Sequence, residues 1–180
     1  MQDEKEFIES LLNSKTQNQA FQKLLFTYQK PLYFHIRNIV LDHDDTDDVL
    51  QNTFIKIFQN LKNFKGDSKL YSWMYRIATN ESLTFIKQKA KKNKISTEEL
   101  NTKIIDNLAA DVYFEGDEIQ IKLQKAIALL PTKQQLVFKM KYFEELKYEE
   151  IATILDTSVG ALKASYHHAV KKIEAFVTSN

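Results

Sequence analysis

A chain of 180 residues makes one large domain or two small ones, and a hydrophobic content of 43% supplies packed cores. Three glycines and two prolines speak against a turn-rich all-β fold, and the lack of cysteine excludes disulfides and thiolate metal sites. The net charge of +1 hides a segregation: residues 1–95 carry +4, residues 96–120 carry −6, and residues 121–180 carry +3.

The first amphipathic segment is Glu4 to Leu12, with Phe7, Ile8, Leu11 and Leu12 on one face. A second helix is expected from Gln19 to Gln29, and Pro31 starts or kinks a third that runs to about Leu41. The run DHDDTDD marks another helix start, with Asp45 or Thr46 as cap and Asp47 and Asp48 complementing the dipole. That helix continues through Val49, Leu50, Phe54, Ile57, Phe58 and Leu61. Asn63 to Lys69 (NFKGDSK) is a loop, because Gly66 and Asp67 form turns, and Ser68 or Asp67 caps a helix from Lys69 to Lys89. Lys94 to Gly116 has weak periodicity and many charges, and reads as an acidic linker with a short ordered piece around Ile104 to Leu108. Helical signals resume near Asp117. Pro131-Thr132 ends one helix and caps the next, which includes Leu136 to Phe143. Tyr148 to Leu155 follows, then a turn over Asp156 to Val159 with Ser158 as N-cap, then a last helix to Val177. The fold class is all-α, with an N-terminal helical bundle at 1–93, a linker at 94–117 and a second helical domain at 118–180.

The most informative stretch is Asp45 to Lys87. It joins an acidic helix start, a basic-aromatic loop and a helix bearing Trp73, Tyr75, Arg76 and Asn80. Rings beside lysines and a polar side chain suit unstacked bases and their phosphates. Asn80 lies one turn beyond Arg76, and its amide offers both a donor and an acceptor to a base edge. Amides of the loop at the helix start can cradle a base or phosphate. Trp73 is read first as core, beside Leu70, Met74, Ile77 and Leu83.

YEEIATILDTSVGALKASYHHAVKKI fits a helix-turn-helix, with Ile151, Leu155, Val159, Leu162, Tyr166 and Ile173 inward. Lys163, Ala164, His167 and Lys171 point outward on a helix of the kind that enters the major groove. A plain helical hairpin is the competing reading. His167 and His168 are neighbours about 100° apart on a helix, a poor chelating pair. No catalytic residues, metal ligands or cofactor site are assigned: Asp47-Asp48, Glu98-Glu99 and Glu149-Glu150 read as helix starts or solvated faces. The acidic, polar start MQDEKEFIES and the short apolar runs predict a soluble cytoplasmic protein without membrane insertion.

Two motif sets carry a family resemblance. DTDDVLQNTFIKIF followed by NFKGDSKLYSWMYRIATN is similar to the second conserved region of bacterial RNA polymerase sigma factors of the extracytoplasmic-function (ECF) type. LPTKQQLVFKMKYFEELKYEEIATILDTSVGALKASYHHAVKKI resembles their fourth region. The resemblance implies promoter-specific transcription initiation with core RNA polymerase, through its beta-prime and beta subunits, on promoter DNA. Asp47, Asp48, Gln51, Phe54, Ile55 and Phe58 would bind the beta-prime coiled coil. Phe64, Lys65, Gly66, Asp67, Ser68, Lys69, Arg76 and Asn80 would take a flipped base of the −10 element. Ser158, Gly160, Ala161, Lys163, Ala164, His167, His168 and Lys171 would read the −35 element. Family analogy adds an anti-sigma factor clamping both domains. Asn52 stands where relatives usually carry an acid, Lys147 where they carry a Ser or Thr cap, and Ala164, Ser165, His167 and His168 where they often carry Arg. A stand-alone helix-turn-helix regulator and a helical protein-interaction module are the alternatives.

Overall fold

Helix-forming composition and amphipathic spacing give nine α-helices and one 3-10 turn in the computed structural model, which describes residues 2–106 and 118–178. No strand occurs among the described residues. The helices are α1 (Gln2–Leu12), α2 (Gln17–Val40), α3 (His43–Asn60), α4 (Leu70–Lys92), α5 (Thr97–Asp106), α6 (Glu118–Ala128), α7 (Thr132–Tyr142), α8 (Tyr148–Leu155) and α9 (Val159–Thr178). The 3-10 turn, Leu61–Asn63, follows α3 directly.

The two helices expected around Pro31 are one continuous helix, α2. A proline inside a helix forfeits a backbone hydrogen bond and costs about 3 kcal/mol. Here its ring is exposed, and Leu24, Leu32 and Ile36, on both sides of it, are fully buried. Each such side chain contributes roughly 1.5–3 kcal/mol, so burial outweighs the break. The α2–α3 corner is also sharper than expected. Leu41 takes a left-handed conformation with φ 66°, and Asp42, rather than Asp45 or Thr46, caps α3 by accepting from the Asp45 N–H at 2.9 Å. Asp45 is freed to pair with Lys89 of α4, and Thr46 is fully buried.

At the start of α4 neither Ser68 nor Asp67 caps. Lys69 is the N-cap residue, and a carboxylate oxygen of Glu4 in α1 accepts from the Leu70 N–H at 3.1 Å. The first part of the expected linker is the helix α5 (Thr97–Asp106). Ser96 caps α5 by accepting from the Glu99 N–H at 3.0 Å, and Leu100 and Ile105 are buried. Ile105 packs with Leu41, and Leu100 with Ile39, Ile86 and Leu136. Residues 107–117, including Leu108 and the helix start near Asp117, lie outside the described residues.

In the C-terminal half, Pro131 is the N-cap residue of α7 and Thr132 its first helical residue. Ala126, Ile127, Leu130, Phe138, Ala169 and Ile173 form a local core. Its other apolar side chains point elsewhere. Val137, Met140, Leu146, Ile151, Ile154 and Leu162 join the cluster built on Leu24, Ile36, Ile57, Leu70 and Met74, so one apolar core runs through both halves.

Polar groups are embedded in that seam. His35 of α2 is fully buried, with Nε2 2.9 Å from the Thr79 hydroxyl and Nδ1 2.8 Å from a Glu144 carboxylate oxygen. Thr79 donates its hydroxyl hydrogen to the Tyr75 carbonyl at 2.8 Å, so both ring nitrogens meet acceptors. Lys139 of α7 is also buried, and burial pushes its amine down from 10.5 to about 8 against the opposing pull of Glu144.

That depressed value fixes a pH dependence. Between pH 8 and 10 an unfolded chain holds the Lys139 proton while the folded chain has lost it, so stability rises with pH. The gain available from relieving the buried charge is about 3 kcal/mol. Above pH 10 the sign reverses, because burial raises Tyr71 to about 12 and raises Tyr75 as well, so the unfolded chain loses those protons first. Lys139→Met is therefore expected to raise stability at pH 7 and to flatten the rise between pH 8 and 10. Urea unfolding at several pH values measures both; an unaltered slope would contradict the assignment.

Candidate nucleic-acid interface

The loop before α4 is built on one anchor and one glycine. Phe64 is 8% exposed and its ring packs on Trp73 with centroids 5.2 Å apart, so it pins the loop from below. Gly66 has φ 77°, a left-handed conformation that a β-carbon penalises. Between them the chain lifts Lys65, Gly66, Asp67 and Lys69 into solvent, with Ser68 half-buried.

Helical spacing then lines up Trp73, Arg76, Ile77 and Asn80 on one face of α4. They border a shallow groove whose other wall is Lys56, Asn60 and Asn63, from α3 and the 3-10 turn. Arg76 and Asn80 are exposed, and Trp73 is half-buried, one side on the core and one on the groove. The sequence places Trp73 first in the core and gives no sign of Lys56, Asn60 and Asn63 at this surface. Only the long-range packing of α3 on α4 puts them there, and Lys56 is held by Glu81 of α4 at 2.6 Å. A flat indole edge, amide groups and cations around an open groove can receive an unstacked base and its phosphates.

The outer face of α3 is a second surface. Asp47, Asp48, Gln51, Ile55 and Phe58 are exposed, whereas Phe54 is only 9% exposed and forms the floor. With Phe21, Leu25 and Gln29 of α2 they line one cleft, acidic at one end and apolar at the other. Phe21 and Phe58 meet edge to face at 4.9 Å. Such a cleft suits a partner helix with an apolar stripe and basic flank.

The third surface is α9. Ser158 Oγ accepts from the Ala161 N–H at 3.3 Å, the expected cap. Leu162, Ala169 and Ile173 are buried, which turns Gly160, Ala161, Lys163, Ala164, His167, His168 and Lys171 outward. Asp156 makes the turn with φ 51°. The Lys147 N–H is met by a Glu150 carboxylate oxygen at 3.1 Å, which supports the α8 start that Lys147 does not cap itself. Ile154 and Ala169 belong to the inward face that the sequence reading drew without them.

Known proteins share both halves. A family model described as Sigma-70 region 2 matches residues 24–92, and one described as Sigma-70, region 4 matches residues 120–173. The RNA polymerase sigma-H factor of Pseudomonas aeruginosa is 29% identical over 163 residues, covering 86% of this chain and 84% of that protein. The ECF RNA polymerase sigma factor SigW of Bacillus subtilis is 28% identical over 161 residues, covering 85% and 86%. Among solved structures, CnrH in complex with the cytosolic domain of CnrY has a TM-score of 0.69 at 18% identity, covering 98% of each chain. The sigma factor RpoE in complex with the anti-sigma factor NepR from Bartonella quintana has a TM-score of 0.64 at 17% identity, covering 88% and 96%.

The loop geometry is testable alone. A β-carbon at Gly66 meets nothing within 4 Å, so the cost of Gly66→Ala is the left-handed backbone, about 1 kcal/mol. Gly66→Asn, which tolerates that conformation, is expected to cost less in urea unfolding. Equal costs would mean that the loop can relax away from φ 77°.

Proposed function

Because the chain belongs to the extracytoplasmic-function sigma factors of bacterial RNA polymerase, we propose a division of its described surfaces among three tasks in promoter recognition. The protein binds core polymerase and directs promoter-specific transcription initiation. A stand-alone helix-turn-helix regulator is not favoured, because the N-terminal match at 24–92 is foreign to such a protein.

In this reading the α3 cleft docks the coiled coil of the polymerase beta-prime subunit. Asp47 and Asp48 face basic side chains of that partner, Gln51 bonds at the cleft edge, and Ile55 and Phe58 bury against it over the Phe54 floor. The loop from Phe64 to Lys69 and the α4 groove take one unstacked base of the −10 element. Asn80 reads the base edge, Trp73 supplies a surface to pack on, and Lys65, Lys69 and Arg76 meet phosphates. Phe64 holds the loop in place rather than touching DNA. The first turns of α9 enter the major groove at −35, where Lys163 and Lys171 contact the backbone and Ala161, Ala164, His167 and His168 face the bases. The units are taken as 1–93 and 118–180, joined by 94–117, with the second unit also contacting the beta subunit. The observation that carries the reading is the gathering of Trp73, Arg76 and Asn80 on one open groove beside a lysine-bearing loop.

Localisation follows the role: we place the protein in the cytoplasm with its polymerase, and no described helix is long and apolar enough to cross a membrane. The reading assigns it no reaction of its own. An anti-sigma partner is proposed by analogy with the RpoE–NepR complex.

Initiation by core polymerase plus this protein, at promoters mapped after overexpression, tests the assignments. Asn80 is exposed, so Asn80→Ala is expected to leave unfolding unchanged and to cut initiation about tenfold, the value of one good base contact. Ile55 is 48% exposed, so Ile55→Glu is expected to abolish core binding with a native unfolding midpoint. Wild-type core affinity in that variant would remove the α3 cleft from the dock.

A further inference from the structure

A small cavity of about 50 Å³ lies where α2, α4, α5 and α7 meet. Its inner wall is apolar, built from Ile39, Ile86 and Leu136, all buried. Two polar groups interrupt that wall. Lys139 is only 4% exposed, and no hydrogen bond or ion pair to another described residue holds its amine. Asn101 of α5 lines the same space, and its Oδ1 is buried without a partner. A buried cation and a buried orphan acceptor each cost free energy until something meets them. They do not meet each other, so a ligand that satisfies both must accept from the amine and donate to the amide oxygen.

The rest of the lining sets the charge of that ligand. Exposed Lys87 of α4 stands at the rim with Thr132, the first residue of α7. Helix α7 starts at Pro131 without a capping side chain, so the positive end of its dipole is open at this corner. Glu98 also reaches the rim, but it is exposed to solvent, and its carboxylate accepts from the Thr97 hydroxyl at 3.2 Å. Two cations and an uncapped helix start outweigh one solvated carboxylate, and the lining selects an anion. A water needs about 10–15 Å³ of such space, so the cavity takes roughly four oxygen-sized groups, the size of one tetrahedral oxyanion.

We propose that this cavity is a binding site for inorganic phosphate, held through its anionic oxygens by Lys139 and Lys87 and donating an O–H to Asn101 Oδ1. The orphan acceptor is what narrows the class. At neutral pH free phosphate keeps an O–H. Sulfate has none, and a phosphate ester, with its second pKa at about 6, has mostly lost its own. The bound ion also relieves the penalty on the Lys139 charge, which burial alone pushes down against the pull of Glu144. The site shares no lining residue with the α3 cleft or the α4 groove, so it stands independently of the tasks proposed for those surfaces.

The test is isothermal titration calorimetry of the full chain at pH 7 and constant ionic strength, with inorganic phosphate, sulfate and ribose 5-phosphate as titrants. Phosphate is expected to bind about tenfold more tightly than either of the others, the value of meeting one buried acceptor. Lys139→Met removes the buried amine and is expected to weaken phosphate binding at least about tenfold. Asn101→Ala removes the orphan acceptor and should reduce the preference for phosphate over sulfate to less than about twofold. Lys92→Ala deletes an exposed cation that does not line the cavity, and should change affinity less than about twofold. Urea unfolding gives a second readout. Phosphate should raise the wild-type midpoint more than sulfate does, and should lose that advantage in Lys139→Met. The proposal is overturned by an absence of binding heat up to about 20 mM phosphate, by sulfate or ribose 5-phosphate binding wild type as tightly as phosphate, or by undiminished phosphate affinity in Lys139→Met.

Discussion

One buried imidazole sets the arrangement of the whole chain. His35 has no exposed surface, and it joins α2 to α4 through Thr79 and to the C-terminal half through Glu144, with Tyr75 stacked obliquely at 4.5 Å. Removing one partner from such a buried contact leaves a desolvated polar group, which costs more than the bond contributes. The shared apolar core supplies attraction without direction, and the His35–Glu144 contact supplies register. Glu144 stands just ahead of α8, which lies along α4, while the basic side chains of α9 face away.

The same seam carries its own opposition. Lys139 is buried where its charge is penalised, and Glu144 offsets only part of that. The seam between the halves is apolar at its centre, charged at its rim and carries one buried amine. A net charge of +1 is no paradox. The chain is a weak polyelectrolyte alone, and polymerase provides the scaffold that makes two modest contacts act together.

Local features were legible in the sequence. The one-turn spacing of Arg76 and Asn80 puts both on a common face, and Ser158 before Val159 marks the cap of α9. What escaped was decided at long range. Glu4 capping Leu70 spans 66 residues, and His35 meeting Glu144 spans 109, and neither leaves a periodic signature. Pro31 looked like a boundary because the local cost is visible in sequence and the burial of Leu24, Leu32 and Ile36 is not. The helix α5 was reduced to a fragment because Leu100, Ile104 and Ile105 are few among charges, and only their packing on Leu41, Ile39 and Leu136 gives them weight. Phe54 and Phe64 were grouped with contact residues because aromatic type and motif position are readable, whereas burial is not.

The central claim is that the α4 groove and the α9 helix read different promoter elements in one complex. Site-specific photocrosslinking tests it most directly, with a benzophenone-bearing amino acid replacing Asn80 in one protein and Ala164 in another, each assembled with core polymerase on a mapped promoter. The account predicts a crosslink from position 80 to a non-template base of the −10 element and from position 164 to duplex at −35. Crosslinks from both positions to the same element, or none from position 80 in an active complex, would contradict it.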